Sequence, residues 1–301
     1  MIHIIKKCNN ENTYSGYGWD LEKTTKFVLD LNGNMVEAGH FLHYLTEGDE
    51  KRFIKEVIEL PSSRGCPIKC SFCASSFIND CCPLTSEEIV ELYEFILSER
   101  IKNNPYRLVT MTGIGDYSLC YESINTALQE INKKTPNVYF TISSCIWNND
   151  ALEAVLRLSN SVNIRSVNIT YLTKDNSLLA RMIPFYYNHH LNIHDIVGFF
   201  ERNSMDNIRV NYLMIKDVND KKEDFNTFID TFESLKKKLR VRISKMNTTR
   251  ASIKAGLYTP CIEDMTCFKE ELISQGFDAY LFYSNQNDQM NCGQLLTEEW
   301  Q

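Results

Sequence analysis

The chain has 301 residues, of which 43% are hydrophobic and 24% are charged, and its formal net charge is −7. This composition excludes a disordered chain, a collagen-like repeat and a bundle of membrane spans. The acidic balance gives no general attraction to phosphate backbones, so binding of nucleic acid would require a local basic surface or a partner. The length allows one large or two ordinary domains.

The cysteine content is unusual, because there are eleven cysteines and the first residues lack the pattern of a signal peptide. An odd number of cysteines without a leader is typical of a reducing compartment. We therefore expect a cytoplasmic protein without membrane contacts. Its cysteines should be buried, catalytic or bound to metal rather than paired in disulfides.

A β-hairpin is predicted near the start of the chain. Residues 26–31 and 34–44 have strand character, and Asn32-Gly33 between them supplies the positive φ values of a tight turn. A further strand over residues 53–60 leads into a cysteine-rich loop. After that loop, Thr85 and Glu88 form a capping box, which predicts a helix whose buried face includes Ile89.

Strand and helix patterns then alternate to the end of the chain. Strands are predicted at 108–111, 137–143, 162–171, 208–215, 240–246 and 277–283, and helices at 122–133, 150–158, 224–237 and 264–275. This alternation indicates right-handed βαβ units and a parallel sheet, and about six units suit an open, partial barrel. We expect an α/β fold in which residues 1–50 form an extension with the hairpin, and 51–301 form a partial (βα)6 barrel with a C-terminal cysteine loop. The ligand site of such folds lies at the carboxyl ends of the strands.

The cysteine loop carries Cys66, Cys70 and Cys73 in a C-x₃-C-x₂-C spacing between a strand and a helix. Three thiolates can bind three irons of a 4Fe–4S cube and leave the fourth iron open for a ligand. The alternatives are a zinc site completed by Cys81 or Cys82, or cysteines that only pack. Zinc motifs usually pair two short spacings, and this sequence offers no second pair at a suitable distance.

This loop resembles the signature of radical S-adenosylmethionine (SAM) enzymes. The resemblance implies a 4Fe–4S cluster held by the three cysteines and SAM bound at the open iron. It also implies a partial (βα)6 barrel, cleavage of SAM to a 5′-deoxyadenosyl radical, and an electron donor such as flavodoxin or ferredoxin.

Further segments resemble the RlmN/Cfr methyltransferases of this superfamily, in collinear order over roughly residues 24 to 296. They are the Ser62-Ser63 pair, the runs at 112–116, 141–144, 170–172 and 212–220, and the segment 291–295, which reads Asn-Cys-Gly-Gln-Leu. Considered without the family, polar residues at strand ends are more often caps and turn formers. The resemblance implies SAM contacts at Phe72, Gly115, Asp116, Ser143, Thr170, Leu172 and Asn247.

The resemblance also assigns two catalytic residues. Cys292 matches the family's methyl carrier, whose thiolate takes a methyl group from one SAM before a second SAM yields the radical. Glu37 matches the glutamate that removes a proton from the methylated ring. The implied reaction is methylation of an sp2 carbon of adenine in RNA, through an S-methylcysteine intermediate. The alternative is an enzyme of the same lineage that modifies a peptide or a small molecule.

The sequence departs from the family mainly in substrate handling. The family's resolving cysteine, shortly before the Ser-Ser pair, is missing, and Cys145 and Cys120 are the candidate replacements. About sixty residues precede the cysteine loop, fewer than the family's N-terminal RNA-contacting domain needs. A basic stretch between Lys236 and Lys245 can either meet phosphates or simply increase solubility.

Overall fold

The computed structural model of the chain describes residues 2–13, 20–99, 106–185, 191–283, 290–291 and 293–297. Ten strands form one sheet and are arranged in it in the order of the sequence. Within the described ranges, β1 and β10 are the two edges of this sheet, so the barrel is open rather than closed.

The first four strands form an antiparallel meander, β1 (Ile2–Thr13), β2 (Leu21–Leu31), β3 (Asn34–Glu47) and β4 (Glu50–Glu59). The predicted hairpin is confirmed as β2 and β3, and the turn has φ values of 55° at Asn32 and 84° at Gly33. The strand β1 was not predicted. Most of its side chains are exposed, so it lacks the alternation of buried and polar residues that reveals a strand.

From β4 onward the sheet is parallel, and six crossovers connect seven strands. The strands after β4 are β5 (Arg107–Met111), β6 (Val138–Ser144), β7 (Ile164–Tyr171), β8 (Ile208–Met214), β9 (Leu239–Lys245) and β10 (Asp278–Phe282). The α/β class and the partial (βα)6 barrel with its N-terminal hairpin are thus confirmed. The division near residue 50 stays a prediction.

Eight α-helices of the described ranges follow the strands. They are α1 (Ser86–Glu99), α2 (Tyr117–Lys134), α3 (Asn149–Leu158), α4 (Asn176–Met182), α5 (Ile193–Arg202), α6 (Lys222–Phe232), α7 (Arg250–Lys254) and α8 (Ile262–Ser274). The predicted capping box of α1 is confirmed, because Thr85 N donates to Glu88 Oε2 at 2.9 Å and Glu88 N donates to Thr85 Oγ1 at 3.2 Å. The prediction for α2 began five residues late. The α2 helix is capped by Asp116, whose side chain accepts from Ser118 N at 2.9 Å.

The two faces of the parallel sheet differ in chemistry. Alternate residues such as Val109, Phe140 and Val241 are buried under the helices in the main hydrophobic core. Their neighbours Thr110 and Thr141 face the barrel interior and line a cavity there. None of the helices in the described ranges has the length and apolar character that a bilayer crossing requires.

Candidate active site

The three loop cysteines meet at one cavity above the carboxyl ends of the strands. Cys66, Cys70 and Cys73 follow β4 and line a cavity of about 1120 Å³. Cys66 and Cys70 are each 9% exposed, and Cys73 is partly buried. Two backbone hydrogen bonds to distant parts of the chain hold this loop in place. Ser71 N donates to Met182 O at 2.8 Å, and Ala74 N donates to Gly293 O at 2.8 Å. The spacing therefore produces one cluster of thiols in a sheltered pocket.

The chemistry of this donor set fits an iron–sulfur cluster. Burial, and then the nearby Cys70 and Cys73 thiols, raise the pKa of the Cys66 thiol, so three thiolates together require compensating positive charge. Among the described residues, no group of three or more His, Cys, Asp or Glu side chains is placed to hold a single metal ion. The thiolates of a 4Fe–4S cube bind three different irons and need not converge on one point. Neither Cys81 nor Cys82 belongs to the described lining of this cavity.

The glycine loop after β5 forms the opposite wall. Gly115 has a φ of 108°, and a side-chain carbon there would overlap the hydroxyl oxygens of Ser62 and Ser63. Both serines donate their backbone N–H groups to Ile114 O, at 2.8 and 3.2 Å. The Ser-Ser pair and the glycine thus fit each other by size, and this contact holds the glycine loop beside the cysteine loop.

Asp116 is the charged residue of this wall. Its Oδ1 accepts from Ser118 N at 2.9 Å and from Ser144 Oγ at 2.6 Å, and its Oδ2 accepts from Cys145 N at 2.9 Å and from Cys145 Sγ at 3.4 Å. Burial raises the pKa of this carboxyl, and the hydrogen bonds from Ser144, Cys145 and Ser118 oppose that rise. The carboxylate is therefore held in one orientation, and its weakest bond is the one from the Cys145 thiol.

Most of the SAM contacts predicted from the sequence line this cavity together. Those lining it are Phe72, Gly115, Asp116, Ser143, Thr170 and Asn247. Leu172 lies elsewhere, 2% exposed in an apolar cluster that also includes Ile146 and Leu179. An aliphatic side chain at this position packs behind the cysteine loop instead of facing the cavity.

Sequence reasoning missed three polar residues on the inner face of the sheet, which are Asn168, Asn211 and Ser244. Asn168 on β7 donates to Ser143 Oγ at 2.8 Å, while its Oδ1 is buried without a hydrogen-bond partner among the described residues. Asn211 on β8 accepts from Arg242 Nε at 2.9 Å and from Ser244 Oγ at 2.6 Å. All of them line the cavity. The available signal was a polar residue inside strands that a parallel barrel buries on both faces.

The run at 212–220 has a structural role. Asn219 is fully buried, its Nδ2 donates to Leu172 O at 2.8 Å and to Leu213 O at 2.9 Å, and its Oδ1 accepts from Ile215 N at 2.7 Å. Tyr212 Oη donates to Asn219 O at 2.5 Å. One side chain thus fastens the ends of two neighbouring strands at the rim of the site.

Cys292 lies outside the described residues, but the chain on both sides of it is placed. Asn291 and Gly293 both line a small cavity that also touches Cys73. Gly293 O accepts from Ala74 N, and Gln294 Nε2 donates to Thr248 O at 2.8 Å. The segment that carries the predicted methyl carrier is therefore bound to the cysteine loop.

Glu37 contacts the same C-terminal segment. It is 3% exposed on β3, and its Oε1 accepts from Thr297 N at 2.9 Å and from Thr297 Oγ1 at 2.6 Å, while Oε2 accepts from Leu296 N at 3.1 Å. Glu37 also lines the small cavity beside Gly293. Both carboxylate oxygens are thus used to anchor the segment, and a role as a proton acceptor stays a prediction.

The two candidate resolving cysteines differ in position. Cys145 lines the cavity, and a hydrogen bond with Cys70, together with burial, raises its pKa. Cys120 lies in α2 outside the described lining of the cavity, and burial raises its pKa to about 11. Of the two, Cys145 has access to the site.

The chain is similar in sequence to several known proteins. No protein-family model matches the chain. It is 28% identical over 287 residues to a probable dual-specificity RNA methyltransferase RlmN of Pseudothermotoga lettingae, a match that covers 91% of this chain and 76% of that protein. It is also 26% identical over 310 residues to a probable dual-specificity RNA methyltransferase RlmN of Petrotoga mobilis, a match that covers 99% of this chain and 79% of that protein.

A solved structure shares the fold. The crystal structure of a radical SAM methyltransferase from Sphaerobacter thermophilus matches with a TM-score of 0.71 at 18% identity, and covers 98% of this chain and 81% of that one. At this identity the likeness shows the fold alone. In sequence the chain is thus similar to proteins described as probable RlmN RNA methyltransferases, and in fold it is similar to a radical SAM methyltransferase.

Proposed function

We propose that this protein methylates an sp2 carbon of adenine in RNA, with Cys292 as the methyl carrier. The observation that carries the proposal is the hydrogen bond from Ala74 N to Gly293 O, at 2.8 Å. It joins the residue after Cys73 to the residue after Cys292. The two segments that the reaction requires are therefore neighbours, although they are more than two hundred residues apart in sequence.

Separate residues would hold the cluster and orient SAM. Cys66, Cys70 and Cys73 would hold a 4Fe–4S cluster, which when bound supplies the electron that cleaves SAM. Ser143 and Asp116 would orient SAM. For Asp116 to accept from the SAM amino group, its long bond from the Cys145 thiol must give way, since its other three hydrogen bonds are shorter.

Cys292 would act first as a nucleophile, because its thiolate takes the methyl group of one SAM and releases S-adenosylhomocysteine. The S-methyl group would then be the source of the carbon that bonds to the acceptor ring. The Cys145 thiolate would then attack the Cys292 sulfur, so that an S–S bond replaces the bond between that sulfur and the transferred carbon; the released electron pair stays with the acceptor, the ring loses the proton at the substituted carbon, and the transferred carbon gains a proton to become the methyl group. Flavodoxin or ferredoxin is the proposed electron donor, and a reducing cytoplasm is the proposed compartment.

The experiment follows labelled methyl from SAM into RNA, using anaerobically reconstituted protein and a reductant. We expect label in RNA with the unchanged protein and none with Cys292→Ser, which should still cleave SAM. Cys261→Ser is the matched control, because that thiol is exposed and outside the described lining of the cavity. SAM cleavage without label in RNA would contradict the RNA acceptor.

A peptide or small-molecule acceptor is the second candidate. It is favoured by another cavity in the barrel interior, about 850 Å³ in volume and directly joined to the first. A large polymer does not need such a deep cavity. Under the same conditions, label in a small-molecule or peptide fraction would support this alternative.

A further inference from the structure

The second cavity, called the deep cavity below, lies deeper in the barrel than the cavity lined by Cys66, Cys70 and Cys73. Both cavities are lined by Thr112, Asn168, Arg242 and Phe282, so they are continuous. On β8, Arg209 lines the deep cavity and Asn211, two residues further along the strand, lines the upper one. Since successive inward residues of a strand step along the barrel axis, the deep cavity extends from the reaction site toward the amino ends of the strands.

Cationic side chains from three strands converge on this cavity, Lys55 from β4, Arg209 from β8 and Arg242 from β9. Two carboxylates also line it, but both are engaged by other groups. Glu59 Oε1 lies 2.5 Å from Lys26 Nζ, and Glu22 Oε2 lies 2.7 Å from His43 Nε2. The described lining thus has three cations and two carboxylates, one of them paired with a lysine outside the lining.

The cations lie close enough to affect one another. Burial, and then the charge of Arg209, lower the pKa of Lys55 to about 7. Arg209 Nε is buried with no hydrogen-bond partner among the described residues, and so is Asn168 Oδ1 at the junction of the two cavities. The unsatisfied donor of Arg209, beside crowded cations, is costly unless a ligand supplies negative charge and an acceptor atom, whereas Asn168 Oδ1 needs a donor from a ligand or water.

We propose that the deep cavity binds an oxyanion of the methyl acceptor, a phosphate or a carboxylate, through Lys55, Arg209 and Arg242. The inference rests on the proposed function for the reaction and adds the chemical class of the acceptor. The guanidinium groups match the geometry of an oxyanion, and the lysine adds a point charge. An acceptor held by its anionic end would extend past Asn168 toward SAM.

A second basic surface must be separated from this cavity in any test. Lys236, Lys237, Lys238 and Arg240 line a groove at the amino ends of the strands, and Arg209 lies on the boundary between that groove and the deep cavity. The predicted basic stretch is therefore split, because Arg242 faces the barrel interior. A surface groove of lysines attracts any anion weakly, so a lysine of the groove is the right control.

The test measures binding of inorganic phosphate, and separately of acetate, to the SAM-saturated holoenzyme by calorimetry. We expect Lys55→Gln and Arg209→Gln each to weaken binding of the better probe by about tenfold, the loss of one charged hydrogen-bond partner. The matched variant Lys237→Gln should change it by less than about twofold. Glu22→Gln removes a negative charge from the cavity and should therefore strengthen binding. Because a protein that fails to fold cannot bind more tightly, this variant separates a charge effect from loss of the fold.

Three results would overturn the inference. They are no binding of either probe, an equal loss with Lys237→Gln, and no change with both Lys55→Gln and Arg209→Gln. The readout does not involve turnover, so it separates this inference from the proposed function. Label in RNA without anion binding would refute the inference alone, and anion binding without label in RNA would refute the RNA acceptor alone.

Discussion

The anchoring of the C-terminal segment by Glu37 can be tested with Glu37→Gln. The carboxylate accepts three hydrogen bonds from Leu296 and Thr297 in a buried position. The glutamine side chain has no negative charge, and its NH₂ group is a donor. It would therefore face one of the three donors of Leu296 and Thr297 without being able to accept from it. Hydrogen bonds to a charged group contribute about 1.5–3 kcal/mol each, so we expect the docked segment to lose about 2–4 kcal/mol. At the lower bound this corresponds to an about 30-fold larger equilibrium constant for opening of the docked segment.

The assay is hydrogen exchange at the backbone amides of Leu296 and Thr297. Glu47→Gln is the matched control, since Glu47 lies on the same strand but its side chain is 60% exposed in a surface ion pair with Arg52. We expect that variant to leave both exchange rates unchanged. Unchanged exchange in Glu37→Gln, combined with loss of methyl transfer, would refute the anchoring role and favour Glu37 as a base.

Three further predictions concern the glycine loop, the thiols and the cavity. Gly115→Ala should abolish SAM binding in calorimetry because of the overlap with the serine pair, whereas Gly256→Ala, which also has a positive φ but nothing within 4 Å, should cost only about 1–2 kcal/mol of stability. Cys66→Ala should prevent reconstitution of a cluster, measured by bound iron and visible absorption, and Cys261→Ala should not; equal iron content would contradict the assignment. Because the pKa of Lys55 is lowered to about 7 from 10.5, the unfolded chain binds more protons between these values, and the free energy of unfolding should rise with pH above 7. Denaturant unfolding of Lys55→Met should lack that contribution, and identical pH slopes would refute it.

The parts of the fold that were predictable depend on local signals. Asn32-Gly33 specifies a turn by its backbone preferences, and Thr85 with Glu88 specifies a helix start, so both appear where expected. The short helices α4 and α7 span seven and five residues, too few for a periodic pattern to be recognised. The exposed strand β1 is formed by pairing with β2, which no local pattern reveals.

The site shows the same division. Cys66, Cys70 and Cys73 occupy one continuous loop, so their spacing could be recognised from the sequence alone. Asn168 and Arg242 lie on different strands, and only the curvature of the sheet brings them to one cavity. Glu37 is a similar case, because its partners at 296 and 297 are about 260 residues away.

The methyl-carrier assignment is tested most directly by mass spectrometry of the peptide that contains Cys292. Protein reconstituted with iron and sulfide is incubated anaerobically with methyl-labelled SAM and a reductant, without an acceptor. We predict a labelled methyl group on Cys292, absent from the Cys145 and Cys261 peptides of the same digest. An unmodified Cys292 in protein whose cluster is intact and cleaves SAM would contradict the account.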